Sequence, residues 1–285
     1  MRASHDKRGA QAFDAYYAEL FGDRWAALRA SMLAQDHPQH KLNTAADRPY
    51  YIDAASVLVA SAAISFTAPS VGTYAILDLC AAPGGKTLVL ALSCGKDCTI
   101  VANDRSASRR ERLRRVLDEH LDAGLRERIT VSGHDARRWG LHEQGAYDLV
   151  LADVPCSSEA HLLSGSGRID QWSRSRVERI SRDQFAMLRS ASQAVRPGGI
   201  IVYATCSLPR AENEGLVERA VERSRKKGPV IQVVDASRER QESLERRFGL
   251  NLSPSDPGYR IWPDENDGAG PMYFCMLRRQ TDESG

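Results

Sequence analysis

The chain is predicted to be an α/β protein built on a parallel-rich sheet, and three observations predict it. Seven short apolar runs recur between residues 75 and 277, each of strand length. Stretches with helical apolar spacing fill the gaps between most of them. Two of the runs lead straight into a cysteine, at Cys156 and Cys206, at the edge where an open parallel sheet holds its ligands.

In chain order, residues 1–70 are expected to form a small helical extension packed on a catalytic domain of residues 71–285. Over 11–34, Phe13, Tyr16, Tyr17 and Leu20, then Trp25, Leu28 and Leu33, recur at three- and four-residue spacing, so these aromatics are assigned to core packing rather than base stacking. The strands read as AILDLC (75–80), CTIVAND (98–104), RITVSG (128–133), YDLVLAD (147–153), GIIVYAT (199–205), PVIQVV (229–234) and PMYFCML (271–277). Helices are expected around 107–121 on a stripe of Leu113, Val116, Leu117 and Leu121, around 182–195 with Phe185, Leu188 and Val195, and around 211–223 with Leu216, Val217, Ala220 and Val221. Pro197-Gly198-Gly199 closes one helix and opens the fifth strand, and Pro209 suits a helix's first turn. The stretch 235–270, rich in charge, proline and glycine, reads as a long loop region.

A length of 285 residues suffices for one large domain and a modest extension. With a net charge of +2, partner choice must rest on local patches rather than on the charge of the whole chain. Six cysteines without an apolar secretion segment argue for free thiols in a reducing compartment. The cytoplasm is the default expectation and an organellar matrix the alternative. No membrane association is expected, because no run approaches the ~18–20 apolar residues of a spanning helix.

The strand Ile76–Cys80 runs into Ala81-Ala82-Pro83-Gly84-Gly85-Lys86-Thr87, where small residues allow a ligand to reach the backbone. The glycine pair alone is equally a tight turn, and it lacks the spacing of a dinucleotide fingerprint or a phosphate loop. Asp104 ends the second strand, 20 residues past Gly84, where an acid meets ribose hydroxyls in such folds. Strand, glycine loop and acid together imply an adenosyl ligand. Arg109 shares a helix side with Leu113; it either orients Asp104 or the ligand, or is an ordinary surface charge. Asp135, after the third strand, either accepts from an adenine amino group or caps a turn.

Cys156 in DVPCS (153–157) and Cys206 in YATCS (203–207) leave two strands toward one place, so one thiol can attack a ligand while the other assists. Asp153, three residues before Cys156, is a candidate acid if burial raises its pKa. Cys80, Cys94, Cys98 and Cys275 are assigned to packing, and no metal site is expected, since Cys94 and Cys98 lack the further ligands of a zinc centre.

LDLCAAPGGKT (77–87), ANDRSASR (102–109), DVPCSS (153–158), and TCSL with ENE (205–208, 212–214) together resemble the Sun-domain (NOL/NOP/Sun) RNA cytosine-5 methyltransferases. FDAYYAELFGDRWAALRASML (13–33), YYIDAAS (50–56) and GPMYFCMLRR (270–279) extend the resemblance over nearly the whole chain, toward the mitochondrial small-subunit ribosomal RNA branch. The resemblance implies a Rossmann-like class I S-adenosylmethionine-dependent methyltransferase fold, a seven-stranded, mostly parallel sheet with helices on both faces. It implies an RNA substrate, ribosomal RNA or a small ribosomal subunit. It implies that Gly84, Gly85, Lys86, Asp104, Arg109, Asp135 and Asp153 hold S-adenosylmethionine, that Cys206 is the nucleophile and that Cys156 aids product release.

Carbon 5 of cytosine is a poor nucleophile, but a thiolate added to carbon 6 makes the ring an enamine whose carbon 5 can take a methyl group. The adduct then needs a proton at ring nitrogen 3 and loss of the carbon 5 proton, which is the acid role open to Asp153. In DNA cytosine-5 methyltransferases the Pro-Cys cysteine attacks instead. A DNA enzyme would therefore use Cys156, and the Thr-Cys-Ser motif argues against it. A third reading is a non-catalytic ribosome assembly factor that holds cofactor and RNA, which the full catalytic set disfavours. Two departures stand out: Ala136 replaces a glycine expected after Asp135, and the chain shows no appended RNA-binding domain of the sort many relatives carry. Target selection is thus expected from elsewhere, a protein partner included.

Arginine and lysine cluster at 105–115, 174–182 and 223–227. The last reads as a solvated helix face balanced by Glu222. Arg174, Arg176 and Arg179 follow the glycine-rich stretch 164–167, which reads as a mobile loop after the Pro-Cys motif, and are expected to touch RNA.

Overall fold

The computed structural model describes residues 8–34, 37–66, 73–165 and 168–281. The chain runs through α1 (Ala10–Phe21), α2 (Arg24–Leu33), a hairpin of β1 (Gln39–Leu42) and β2 (Tyr50–Asp53), and α3 (Ala54–Phe66). It continues through β3 (Tyr74–Asp78), α4 (Gly85–Ser93), β4 (Cys98–Asn103), α5 (Ala107–His120), α6 (Ala123–Glu127), β5 (Ile129–Ser132) and β6 (Tyr147–Asp153). Then come α7 (Glu159–Leu163), α8 (Arg174–Ala194), β7 (Val195–Thr205), α9 (Glu214–Lys226), β8 (Ile231–Val233), α10 (Arg238–Phe248), β9 (Ser253–Pro254), β10 (Tyr259–Ile261) and β11 (Met272–Arg279).

The main sheet has the order β5-β4-β3-β6-β7-β11-β10-β9, with β8 also paired to β11. The first five strands of that order are parallel, and β11 runs antiparallel to β7. All seven predicted strands form. The sheet nevertheless has nine strands, because β9 and β10 arise in the stretch read as a loop. Those strands are two and three residues long, too short for a period-two pattern to show, although Tyr259 and Ile261 are buried. The same stretch holds α10, whose sequence RERQESLERRF buries only Leu244 and so lacks an apolar stripe. Its ends do carry signals: Ser237 accepts from Arg240 N, and Gly249 closes the helix at φ 65°.

Alternation along the strands separates two cores. Ile76, Leu149, Leu151, Val202 and Phe274 face the layer of α3, α4 and α5, while Leu77, Val150, Ala152, Ile201 and Tyr203 face α8 and α9. Helices therefore cover both faces, the architecture of a class I S-adenosylmethionine-dependent methyltransferase.

The stretch 11–34 is helical as expected, and Gly22, at φ 55°, divides it into α1 and α2. Phe13, Tyr17, Trp25, Leu28 and Met32 form a third cluster with Leu162, Trp172 and Leu208, as the packing assignment expects. Leu20 and Leu33, each close to the end of its helix, depart from it, at 46% and 41% exposed. The stretch before residue 70 also contains the β1–β2 hairpin, and its α3 lies in the sheet's own helical layer. The boundary drawn at 70–71 lies outside the described residues, as do 166–167 of the glycine-rich stretch. Helix α8 begins eight residues earlier than its apolar stripe suggests, at Arg174, so the arginines of 174–182 are helical.

Candidate active site

The strand ends converge. Asn103, at the tip of β4, donates to Leu79 O at 3.0 Å and His134 O at 3.1 Å and accepts from His134 N, tying the tips of β3, β4 and β5 together. Beside this tie Asp104 is buried; its Oδ1 accepts from Ser106 N at 2.9 Å and its Oδ2 lies 3.3 Å from Arg109 Nη1. Arg109 Nη2 also donates to Ala82 O at 2.5 Å, so this side chain braces the β3–α4 turn against Asp104. That resolves its two readings in favour of orientation. Asp135 does cap the turn after β5, accepting from Arg137 N, and the Arg137 guanidinium holds its carboxyl below the usual range.

A cleft of about 370 Å³ opens between these ends and α8, lined by Asp104, Arg109, Asp135, Pro155, Cys156, Arg176 and Arg179 among others. Its polar groups gather at Asp104 and Asp135, with Leu79, Ile180 and Met187 as apolar walls. An acid for ribose hydroxyls, a second acid spaced from it and apolar walls for a purine suit S-adenosylmethionine. A smaller cavity of about 160 Å³ adjoins it, lined by Asp53, Ser56, Asp78, Gly85, Lys86 and Asp153. Cys80, assigned to packing, lines both, and burial pushes its thiol up.

Gly84 lines neither cavity. Its place is fixed by φ 117° and by Leu113 Cδ1, which would lie 3.1 Å from an added Cβ. Gly84→Ala is therefore expected to cost about 1–3 kcal/mol of stability through the backbone alone, read by urea unfolding. Asp78, which the motif contains without a role, is fully buried; burial pushes its carboxyl up to about 7, and Thr87 Oγ1 donates to it at 2.7 Å.

The two loop cysteines meet. Cys156 Sγ and Cys206 Sγ are 2.6 Å apart, and Ser158 Oγ lies 3.2 Å from the first and 3.5 Å from the second. Their acidities diverge. The Cys156 hydrogen bond holds the Cys206 thiol below its ordinary value, helped by Ser158 and Lys86 against the effect of burial. The same hydrogen bond and burial push Cys156 well up. Of the two, Cys206 is the thiol held lower and Cys156 the one held higher. Lys86 Nζ lies 2.9 Å from Asp153 Oδ2 and donates to Ser56 Oγ at 3.0 Å. Burial opposes the Lys86 charge, but Asp153 outweighs it and holds the ammonium above its ordinary value.

Residues 67–278 match the family described as 16S rRNA methyltransferase RsmB/F. The chain belongs to the RsmB/F family. Among its relatives, the 5-cytosine rRNA methyltransferase NSUN4 of Bos taurus is 39% identical over 212 residues, covering 72% of this chain and 54% of that protein. The mitochondrial tRNA (cytosine(34)-C(5))-methyltransferase of Mus musculus is 30% identical over 247 residues, 85% of this chain and 67% of that one. The chain spans about half the length of NSUN4, 54%. A methyltransferase homolog protein from Pyrococcus horikoshii has the same fold, with a TM-score of 0.67, 20% identity and 95% of each chain covered. The mitochondrial relative carries a compartment in its name, and none of these similarities favours the cytoplasm over an organelle.

Within this RsmB/F site, the sequence reading brought together Asp104, Arg109, Asp153, Lys86, Cys156 and Cys206. Arg176 and Arg179 reach the cleft, whereas the Arg174 guanidinium lies over the Tyr16 ring, 5.7 Å from its centre. Missed were Ser158, beside both sulfurs, and Glu159, Glu212 and Gln184, buried polar groups behind the loops. Ser158 and Glu212 carried a local signal, the first two residues past Cys156 in DVPCSS and the second opening the ENE motif.

Proposed function

We propose that the chain is an S-adenosylmethionine-dependent RNA (cytosine-5) methyltransferase that acts on small-subunit ribosomal RNA. The observation that carries this reading is the pair of thiols, 2.6 Å apart on neighbouring strand ends, with Cys156 lining the cleft. Asp104 and Arg109 would hold the ribose end of the cofactor, Asp135 the adenine, and Gly84, Gly85, Lys86 and Asp153 the turn and the donor end. S-adenosylmethionine, when bound, supplies an electrophilic methyl group.

The Cys206 thiolate adds to carbon 6 of the base, and the displaced electron pair reaches nitrogen 3, which takes a proton relayed through Asp153, the carboxylate paired with the Lys86 ammonium rather than the standing acid expected from sequence. Lys86, 2.9 Å away, holds the charge left on that carboxylate. After carbon 5 is methylated, water takes its proton, the double bond re-forms, the carbon–sulfur bond breaks with its electrons returning to Cys206, and nitrogen 3 gives its proton back through Asp153. Cys156 then donates a hydrogen bond to the departing thiolate, so that the sulfur leaves as a stabilised anion. This order assigns attack to Cys206 and disfavours a DNA enzyme with Cys156 as nucleophile.

Arg176 and Arg179, at the cleft, are the cations assigned to RNA phosphates; Arg174 braces α1 instead. The target base must leave its stack to reach the thiols, which favours single-stranded or loop RNA. An organellar matrix is the placement this reading adopts, supported by the word mitochondrial in one relative's name, and a protein partner is the proposed source of target selection. The test is transfer of labelled methyl groups to small-subunit RNA, total RNA and DNA. Labelled 5-methylcytosine in small-subunit RNA is expected. Labelling of DNA alone, or tight cofactor-independent RNA binding without transfer, would overturn the reading.

Asp104→Ala is expected to weaken S-adenosylmethionine binding roughly 10- to 100-fold, because a carboxylate hydrogen bond is worth about 1.5–3 kcal/mol. Calorimetric titration of the cofactor checks it, and RNA affinity should not move.

A further inference from the structure

We propose that Glu212 and Asn213 are positioning residues that hold the two thiols in register, Glu212 through the Cys156 loop and Asn213 through the Cys206 loop. The proposal rests on the thiol roles given above. Both side chains are fully buried, and neither lines the cofactor cleft.

Glu212 works on one side. Its carboxylate accepts from Ser157 N at 3.0 Å, from Ser157 Oγ, and from Gln184 Nε2 at 2.9 Å. The same Gln184 nitrogen donates to Pro155 O at 3.0 Å, so the residues on either side of Cys156 are both held. Asn213 works on the other. Its Oδ1 accepts from Thr205 Oγ1 at 2.5 Å and its Nδ2 donates to Ser207 O at 2.7 Å, which holds both neighbours of Cys206. Tyr203 OH donates to Glu212 O at 2.7 Å and ties the pair to β7.

Adjacent Cα atoms are about 3.8 Å apart across a rigid peptide plane, so the two side chains cannot drift independently. The spacing of the sulfurs is thereby set by one peptide unit rather than by the tips of two separate loops. At a pH high enough to ionise Cys206, loosening either contact should harm one step selectively, because attack then needs only Cys206 in place while release also needs Cys156 beside it. In attack the Cys206 electron pair forms the sulfur–carbon 6 bond. In release that bond breaks back onto sulfur as water takes the carbon 5 proton.

The test measures single-turnover adduct formation and adduct breakdown separately on small-subunit RNA, with Cys206→Ala and Cys156→Ala as controls. Asn213→Ala should slow adduct formation roughly 10- to 100-fold, the usual effect of a nucleophile misplaced by about 1 Å. Glu212→Gln should leave formation within about threefold and slow breakdown by at least about tenfold, so that covalent complex accumulates. Ser157→Ala, a milder cut of the same contact, should act in the same direction and serves if Glu212→Gln does not fold. With the cysteine controls behaving as expected, equal losses in both steps for both sites would mean a general structural role and overturn the proposal. Adduct formation that survives Cys206→Ala would instead overturn the thiol assignment beneath it.

Discussion

Cys206→Ala abolishes methyl transfer to RNA, by roughly 10³-fold or more, and leaves no covalent complex, because the thiol that remains beside it, Cys156, is pushed up by burial and keeps its proton. Cys156→Ala behaves differently: it retains a covalent RNA complex that denaturing gels resolve, since addition proceeds and departure stalls. The pH dependence separates the pair further. A thiol held below its ordinary value is already thiolate at lower pH, so adduct formation by the wild type should reach its plateau at a lower pH than an ordinary cysteine would set. The largest cause of that depression is the Cys156 hydrogen bond. In Cys156→Ala the acid limb should therefore move to higher pH, even as the adduct persists. A limb that stays in place would show that Cys156 is not the donor, and transfer that survives Cys206→Ala would move the nucleophile elsewhere.

The parts of this site that could be read from sequence are those whose chemistry is local. A parallel strand delivers whatever follows it to the ligand edge, so Asp104, Asp153, Cys156 and Cys206 were legible from apolar runs and the residues just after them. Arg109 was not decidable, because its partner Ala82 O is 27 residues away in the chain. Glu212 was visible only as part of the ENE motif, without a role: it meets Ser157 across 55 residues, and its burial is not written next to it in the chain. The acidity of the thiols depends on a sulfur contact spanning 50 residues. At the level of fold, seven strands announced themselves through buried runs, while α10 hid behind its charges and β10 behind its length. The helix break at Gly22 was written in the sequence, but the apolar spacing on either side of it suggested continuity.

The largest expected loss of stability lies at Arg260, in the stretch that looked like loop. Its guanidinium grips Glu214 with two hydrogen bonds, Nε to Oε1 at 2.5 Å and Nη2 to Oε2 at 2.7 Å, and donates through Nη1 to Leu208 O at 3.0 Å. Glu214 is 2% exposed and Arg260 8%, and the guanidinium lies over the rings of Trp262 and Tyr273. Removing one partner of such a pair leaves a buried charge uncompensated and costs about 3–5 kcal/mol, whereas removing both can be close to neutral. Arg260→Met should therefore lose about 3–5 kcal/mol in urea unfolding near neutral pH, and Arg260→Met with Glu214→Leu should recover most of it. Burial alone would raise the Glu214 carboxyl, but Arg260 outweighs it and holds the group below its ordinary value. A depressed folded pKa gives stability that is present above the unfolded value and is lost as pH falls through the folded one. The gap between wild type and Arg260→Met should accordingly narrow in acid, where the variant's stranded Glu214 takes up a proton and the wild type loses the benefit of its pair. Because Leu208 follows Cys206 by two residues, Arg260→Met should also slow adduct formation, and the double variant, still lacking the bond to Leu208 O, should regain stability without regaining that rate. Recovery of both together would assign Arg260 to packing alone, and a single-variant loss below about 1 kcal/mol would place the pair among weak, solvent-screened contacts.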